Sequence, residues 1–427
     1  MLRNYLKIAW RTLLRQRFYA LLNIIGLAVG ITFTLLIGAY VWGEYQVNRS
    51  LRNAPRQCLV QSRWQDETMG VPITTLAPIG PALQVTYPTL IANMYRFHGV
   101  SATISKGTNH FRESIQIGDS TLLTMFGFPL LHGDPSTALT GPNAIVITEA
   151  KAIKFFGKTD VLNQTLTVET PQLGKRDFLV MGVLKPLTTN SVSNLLTEFN
   201  EVFMSAGALA AFGADLTNWQ NPYIVTYVEL QPGVSPQQLA GPLVQLIAAN
   251  TAPDAPKKLT AYVTPLTDYY PQSNNGLIRR MVVALSGVAG FILLMAVVNF
   301  VNLSVGSSSS RLREIGVRKA LGGIRRQLAG QFMTEALVLT AIATVLSVIL
   351  DVPLRPLFVG VVGTEISSLL ALPWRYGWLL PLLIFVVGTL AGGYPVLYLS
   401  ARSAVDSLKG KGQLARDGQW FRRRRHR

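Results

Sequence analysis

The sequence predicts an α-helical membrane protein with four transmembrane helices and a large α+β extracytoplasmic domain between the first two of them. Three observations predict this fold class. Hydrophobic residues make up 49% of the 427 residues, whereas charged residues make up only 14%. Four apolar runs approach or exceed the roughly 20 residues that a helix needs to cross the hydrocarbon core. The intervening segment 43–277 instead has short apolar runs and frequent Pro, Gly, Asn, Thr and Ser.

A basic N-terminal segment precedes the first predicted span. Residues 1–17 place basic side chains among apolar ones. The first span, residues 18–42, contains no charged residue, and aromatic residues stand at both of its ends. Aromatic side chains at both ends are typical of the two interfaces of a membrane-spanning helix.

The three other predicted spans cover residues 281–305, 332–350 and 376–399. Glu335 weakens the third span and is expected in its first turn, close to the interface and the helix dipole. A proton or substrate relay at Glu335 is the alternative. In the fourth span, Pro381 and the cluster 392–395 are expected to kink the helix or to end it early.

The basic residues predict the orientation of the spans, because short cytoplasmic loops carry an excess of Lys and Arg. With four spans, segment 1–17, segment 307–327 and the tail 400–427 all lie on one side, and all three are basic. The loop 351–375 on the other side has only Arg355 and Arg375. We therefore expect a multi-pass membrane protein with both termini cytoplasmic. The Arg-rich tail is expected to contact lipid headgroups.

The extracytoplasmic segment 43–277 is predicted to be an α+β domain divided into two subdomains. "NAIVITEAKAIKFFG" predicts a strand that runs into a short helix ending at Gly157. "TLTVE", "RDFLVMGVLK" and "PYIVTYVEL" predict strands. "SPQQLAGPLVQLIAAN" predicts an amphipathic helix that Ser235 caps.

No set of residues in the sequence predicts catalysis, a cofactor or a metal. His98, His110 and His132 lack metal-ligand spacing. A nucleophile elbow is absent from the sequence, as is the G-x-x-x-x-G-K-[ST] phosphate loop, so ATP hydrolysis by that route must come from another chain. Cys58 is the only cysteine. It is interpreted as an ordinary small side chain, with an intermolecular disulfide or lipidation as the alternatives.

Segment 307–327, between the second and third spans, is rich in basic residues, and its middle has the pattern of a short helix. Ser307–Ser310 can cap a helix that Gly322 and Gly323 would end. Within it, Glu314 and Arg318 stand four residues apart in the favourable order. From the residues alone, binding to lipid headgroups and docking on a cytoplasmic partner both stay open. Nucleic-acid binding is not expected, because the stretch is short and tethered between two spans.

These residues resemble a known family. "REIGVRKALGGIRRQLAGQFMTEALVL" is similar to the signature of MacB/FtsX-type ABC transporter permeases, although that family often has Ala where Gly323 stands. "LRNYLKIAWRTLLRQRFYALLNIIGLAVGI" resembles its amphipathic entry helix and first span, so residues 1–17 are expected to form a cytoplasmic amphipathic helix. "GYPVLYLSARSAVDSLKGK" resembles its last span and exit. "FGFPLLHGDPSTAL" and "AIVITEAKAIKFFG" resemble segments of its periplasmic core domain.

The resemblance implies a non-catalytic permease subunit of the bacterial inner membrane. This subunit would couple ATP hydrolysis by a separate cytoplasmic ABC ATPase to movement of its periplasmic domains. It implies a homodimer or a heterodimer with a sister permease, and it allows a periplasmic adaptor and an outer-membrane channel. Export of a peptide, macrolide, lipoprotein or siderophore would fit. A regulator that drives a periplasmic hydrolase or a sensor kinase without transport is the alternative. A second and weaker alternative is a membrane-anchored receptor whose basic segment binds only lipid. The residues that would contact the ATPase are Arg313, Glu314, Ile315, Gly316, Val317, Arg318, Lys319, Ala320, Leu321 and Gly322.

Overall fold

The computed structural model describes residues 2–65, 71–171, 174–195, 200–220, 222–308, 325–363, 366, 368 and 376–401. The chain forms two compact units. Residues Met1–Glu44 and Arg280–Arg427 form one, named here the helical unit, and Tyr45–Arg279 form the other, named the sheet unit. The chain therefore leaves the helical unit once, builds the whole sheet unit, and returns.

Ten helices lie in the described residues. They are α1 Leu2–Arg15, α2 Arg17–Gln46, α3 Ile79–Thr86, α4 Leu122–Phe126, α5 Glu149–Phe156, α6 Ala240–Asn250, α7 Ala255–Lys258, α8 Leu266–Ser308, α9 Arg325–Val362 and α10 Leu379–Ala401. Three 3-10 helices cover Ala54–Arg56, Ala206–Phe212 and Pro236–Leu239.

The ten described strands of the sheet unit join in one mixed sheet. They are β1 Gln57–Trp64, β2 Ile91–Lys106, β3 Asn109–Gly118, β4 Leu130–Gly133, β5 Ala144–Thr148, β6 Thr165–Thr170, β7 Gly174–Leu184, β8 Val202–Ser205, β9 Val225–Leu230 and β10 Leu259–Pro265. Their order is β10-β1-β9-β2-β3-β8-β5-β7-β4, and β6 pairs with β2 and β7. The β3–β8 and β5–β7 pairs are parallel.

The local predictions for the sheet unit are confirmed where apolar alternation was clearest. Strand β5 runs directly into α5, which the Thr148 side chain caps by accepting from the Lys151 backbone N–H at 3.3 Å. Gly157 ends α5 at φ 73°, a left-handed conformation that glycine adopts without steric cost. The helix predicted after Ser235 begins as the 3-10 turn and continues as α6. The predicted division into two subdomains stays a prediction.

Three hydrophobic clusters fill the sheet unit, and one of them is strongly aromatic. In that cluster, named here the aromatic cluster, Tyr95 and Phe126 stand edge to face with ring centroids 5.8 Å apart. Tyr227 stacks on Tyr95 and meets the edge of Phe126 at 5.5 Å. Such offset and edge-on pairs add to the free energy gained by burying the rings.

The helical unit packs its helices through glycines spaced four residues apart. A Cβ built on Gly30 of α2 would lie 2.4 Å from the Ala296 Cβ of α8. On α10, a Cβ on Gly392 would lie 2.8 Å from Ala336 of α9. Gly26 and Gly388 complete two G-x-x-x-G pairs and have similarly close neighbours. Small residues at this spacing let helix backbones approach closely within a membrane.

Three described helical segments are long and apolar enough to cross a membrane, judged by length and composition: Arg17–Gln46, Gly276–Gly306 and Ala329–Val362. A shorter apolar stretch, Leu379–Tyr394, covers most of the fourth predicted span. All four helices α2, α8, α9 and α10 contribute to a single hydrophobic cluster. A membrane protein with a large separate domain is therefore the observed architecture.

The third span differs from the prediction, which ended it at residue 350 and began a loop at Asp351. Helix α9 continues through Pro353 and Pro356 to Val362. Asp351 and Arg355 form an ion pair one turn apart inside the helix. The segment expected to be a loop from residue 351 therefore continues as helix to Val362, whereas the point at which the chain leaves the membrane stays a prediction.

The helices that contain the second and fourth predicted spans also differ from the prediction. Helix α8 begins at Leu266, well before residue 281, and contains Pro271. Within it, Gly276 has φ +72°, so the backbone departs from regular helix at that residue. Helix α10 runs through the 392–395 cluster without ending early, and Pro381 lies in its first turn, where proline is tolerated.

Candidate functional site

The predicted ATPase-coupling residues, Arg313 to Gly322, lie outside the described residues. The described chain stops at Ser308, the end of α8, and resumes at Arg325, the start of α9. Their proposed contacts therefore stay a prediction.

Helix α9, which follows the predicted coupling segment, lies against α1. A Cβ on Gly330 would be 3.5 Å from the Tyr5 ring, so the two helices approach closely at this point. Glu335 is half-buried and occupies the third turn of α9, not the first turn as predicted. The difference arises because α9 begins at Arg325, earlier than hydropathy suggested.

A buried hydrogen-bond group fastens together the two ends of the sheet unit. Asn48 follows α2, has no exposed surface, and adopts φ 67°. Its Nδ2 donates to the Ser191 Oγ at 2.9 Å and to the backbone carbonyl of Leu266 at 2.7 Å. Its Oδ1 accepts from the Ser191 backbone N–H at 2.6 Å. We name this group, Asn48 with Ser191 and Leu266, the junction.

The junction is continuous with the aromatic cluster. Tyr227 donates its hydroxyl to the backbone carbonyl of Ser191 at 2.9 Å. Leu266 and Tyr269, at the start of α8, belong to the same cluster as Tyr227. Burial raises the pKa of Tyr269 to about 12, so its phenol stays neutral at physiological pH. The start of α8 is thus held both by hydrogen bonds and by ring packing.

Sequence reasoning did not find the junction. The partners of Asn48 lie 143 and 218 residues away along the chain, so no local pattern marks them. The one local signal is the residue type, since Asn is among the few non-glycine residues that tolerate a positive φ.

A second polar group, named here the α5 network, links helix α5 to the sheet. The Lys151 Nζ contacts Glu113 at 2.5 Å and Glu201 at 3.1 Å, and the Lys154 Nζ contacts Glu113 at 2.7 Å. Burial opposes ionisation of Glu113, but hydrogen bonds from the two lysines outweigh it and hold the pKa of that carboxyl below its ordinary value. Burial likewise disfavours the charged Lys151, yet Glu113 and Glu201 raise its pKa. The network reads as structural, because each charge is paired.

Among the described residues of the sheet unit, chemically reactive side chains do not converge. The His110 Nδ1 lies 2.7 Å from the Ser105 Oγ, whereas the His98 Nδ1 lies 3.5 Å from the Tyr223 carbonyl. Among the described residues, no group of three or more His, Cys, Asp or Glu could hold a metal ion. Cys58 is fully buried. Burial, and to a smaller extent the negative charge of the nearby Asp268, raises the pKa of its thiol to about 12. Burial therefore favours its interpretation as a core residue over lipidation or an intermolecular disulfide.

One pocket of the sheet unit, of about 370 Å³, has a size found in small-molecule sites. Trp64 and Trp219 line it, together with side-chain amides of Asn218, Gln220 and Asn250. The described lining carries no charged side chain. This arrangement can hold an uncharged molecule by ring contact and amide hydrogen bonds.

Two protein-family models match the chain over most of its length. The MacB-like periplasmic core domain matches residues 20–246, more than half of the chain. The FtsX-like permease C-terminal domain matches residues 286–404.

Similar proteins include export permeases. The macrolide export ATP-binding/permease protein MacB of Wolinella succinogenes is 24% identical over 93% of this chain and 59% of its own length. The pyoverdine export ATP-binding/permease protein PvdT of Pseudomonas entomophila is 21% identical over 86% of this chain and 54% of its own length. The chain thus spans little more than half the length of these relatives.

Among solved structures, the periplasmic region of MacB from Actinobacillus actinomycetemcomitans matches 51% of this chain and 91% of its own, with 13% identity and a TM-score of 0.38. Because that TM-score is below 0.5, the family assignment rests on the sequence models. Those models cover most of α2, most of the sheet unit and most of α8, α9 and α10. The chain belongs to the MacB/FtsX-type ABC transporter permeases.

Proposed function

We propose that this chain is the membrane subunit of an ABC exporter of the mechanotransmission type. In such a complex, ATP hydrolysis by a separate cytoplasmic ATPase moves the extracytoplasmic domain. The observation that carries the proposal is the junction. The chain reaches the sheet unit through α2 and leaves it through α8, and Asn48 ties the residues after α2 to the first residue of α8. A displacement of either helix would therefore reach the centre of the sheet unit.

The topology of the proposal has four spans, with α10 as the fourth and with both termini in the cytoplasm. The exposed face of α1 supports a position at the membrane surface. Leu6, Trp10 and Leu14 recur every four residues on that face, and all three are exposed. Basic residues such as Lys7 and Arg11 stand between them. An amphipathic helix of this kind lies in the interface with its basic side chains toward anionic headgroups.

The energy for the movement would enter through segment 307–327, with residues Arg313 to Gly322 docked on the ATPase. Charge reversal tests this docking. Arg318→Glu should abolish co-purification of an ABC ATPase and the ATP hydrolysis of the reconstituted complex. Arg279→Glu reverses an exposed arginine of the sheet unit and should leave both unchanged. An unaltered complex with Arg318→Glu, or equal loss with both variants, would refute docking at this segment.

The role of the junction is tested separately from docking. Asn48→Asp keeps an oxygen to accept from Ser191 but loses the Nδ2 donor to the Leu266 carbonyl. We expect this variant to bind the ATPase normally and to lose the export phenotype. Asn163→Asp is the matched control, because Asn163 also has a positive φ of 60° but is exposed. Full export by Asn48→Asp would contradict transmission through the junction.

Export is favoured over a regulatory role because the two long-matching relatives are named as exporters of macrolides and pyoverdine. We propose a substrate of similar class, a peptide, antibiotic-like or siderophore molecule. A homodimer or a heterodimer with a sister permease would supply two coupling segments. A periplasmic adaptor and an outer-membrane channel complete the proposed pathway. Crosslinking from the sheet unit should capture such an adaptor; capture of a cell-wall hydrolase or a sensor kinase would favour the regulator.

A further inference from the structure

The helical unit contains a polar cavity that the proposed function does not use. It lies among α1, α2, α8, α9 and α10 and has a volume of about 50 Å³. A water molecule needs about 10–15 Å³ of such volume, so the cavity has room for a few water-sized groups. Six polar side chains of the described residues line it: Thr12, Gln16, Tyr19, Asn23, Ser304 and Glu335.

One of these side chains is buried without a hydrogen-bond partner for its oxygen. Asn23 of α2 is only 5% exposed, and its Oδ1 has no partner in the structure. A buried carbonyl oxygen that no donor satisfies is costly, and native proteins satisfy such atoms with water, an ion or a ligand. The Asn23 oxygen therefore marks the cavity as a place where something binds.

The donor set indicates what that is. Each of these six described side chains can present an oxygen: three are hydroxyls, two are amides and one is the Glu335 carboxylate. Hard cations prefer oxygen ligands of this kind. With one carboxylate among neutral oxygens, the set carries a formal charge of −1, which matches one positive charge better than two. Ionisable residues inside membrane-spanning helices commonly mark ion pathways or binding sites.

We propose that this cavity binds a small, partly hydrated monovalent cation through the Glu335 carboxylate and the Asn23 Oδ1. The site joins the two helices that flank the predicted coupling segment, since Ser304 lies near the end of α8 and Glu335 near the start of α9. Cation binding would hold these two helix ends, together with α1 and α2, in the packed arrangement observed. The proposal goes beyond the proposed function and stands without it.

Sodium binding to the full-length chain in nanodiscs tests the proposal, with radioactive Na⁺ as the probe and choline keeping the ionic strength constant. We expect saturable binding and a thermal midpoint that rises with Na⁺ relative to choline. Glu335→Gln and Asn23→Leu should each weaken binding by about tenfold or more, as expected for the loss of one ligand. Thr389→Val is the control, because that exposed hydroxyl bonds only within its own helix, to the Phe385 carbonyl.

Ser304→Ala keeps the test decisive if Glu335→Gln fails to fold, because it removes one hydroxyl at the cavity and should also weaken Na⁺ binding. Saturable displacement of Na⁺ by K⁺ would support the same site. Binding that does not saturate, or that is unchanged in the cavity variants, would overturn the proposal. A thermal midpoint that depends on pH but not on the cation would also overturn it, since the cavity would then hold only water and a proton.

Discussion

The interiors of the two units of this chain are packed with different kinds of residue. The sheet unit buries large rings such as Tyr95 and Tyr227 and pairs its buried charges, as in the α5 network. The helical unit instead places Gly30 against Ala296 and Gly392 against Ala336. The contrast follows from the solvent. In water, burying apolar area drives folding, whereas helices in lipid gain from close backbone approach.

The two units also differ in the exposure of large apolar side chains on their surfaces. The helical unit leaves large apolar side chains uncovered, among them Phe291 at 63%, Phe385 at 62% and Val361 at 87%. The sheet unit has few such side chains, with Val85 at 82% the most exposed of the described ones. Lipid removes the cost of an exposed Phe, so the uncovered faces of the helical unit are those a membrane would cover.

The largest predicted effect comes from filling a glycine contact in the helical unit. Gly30→Leu would drive a side chain into Ala296 of α8, where even a Cβ lies at 2.4 Å. We expect a loss of about 3 kcal/mol or more and little folded protein in detergent. Gly38→Leu is the matched control on the same helix, because a Cβ built on Gly38 would meet no neighbouring atom within 4 Å. Similar thermal midpoints for both variants would contradict glycine-mediated packing.

The next effect tests the contrasting rule in the sheet unit, where charges are buried in pairs. Lys151→Met leaves Glu113 and Glu201 without their shared partner, and we expect a loss of about 2–4 kcal/mol in unfolding free energy. Lys175→Met removes an exposed lysine paired with Glu169 at 3.7 Å and should cost at most about 1 kcal/mol. Chemical denaturation of both variants measures the difference. A Lys151→Met variant as stable as Lys175→Met would show that the network contributes little.

A smaller effect is expected in α8, which belongs to both units. Gly276→Ala places a Cβ on a residue with φ +72° and should cost about 1 kcal/mol. Gly287→Ala lies in the same helix with open space around it, so it should be neutral or slightly stabilising. Thermal unfolding of the two variants separates the outcomes. Equal midpoints would indicate that Gly276 adopts regular helix in the protein.

The smallest effect is a change in pH dependence. Because the folded-state pKa of Glu113 lies below its ordinary value of 4.5, its contribution to stability is present above that pH and is lost as the pH falls through the folded pKa. Glu113→Gln should therefore flatten the loss of stability on acidification. Asp134 and Asp215 have lowered pKa values too, so the informative quantity is the difference from wild type. Parallel stability curves below pH 5 would contradict the assignment.

The sequence was sufficient wherever one local signal decided the structure. Uncharged apolar length predicted α2, short apolar runs predicted β5 and β7, and alternation predicted β9. It failed where distant residues decide, as at Asn48, whose partners are far away in the chain. It also placed a loop from residue 351, where α9 continues as helix to Val362, because the end of the apolar run was taken as the end of the helix. The coupling residues came from family resemblance, since periodicity alone left lipid and protein partners open.

The central claim is that ATP-driven movement reaches the sheet unit through the coupling segment and the junction. Hydrogen exchange of backbone amides in the ATPase–permease complex, with and without a non-hydrolysable ATP analogue, tests it most directly. The account predicts that nucleotide changes exchange at residues 48–52 and 188–195, and that Arg318→Glu abolishes the change. Exchange in the sheet unit that does not respond to nucleotide, or that responds equally in Arg318→Glu, would contradict it.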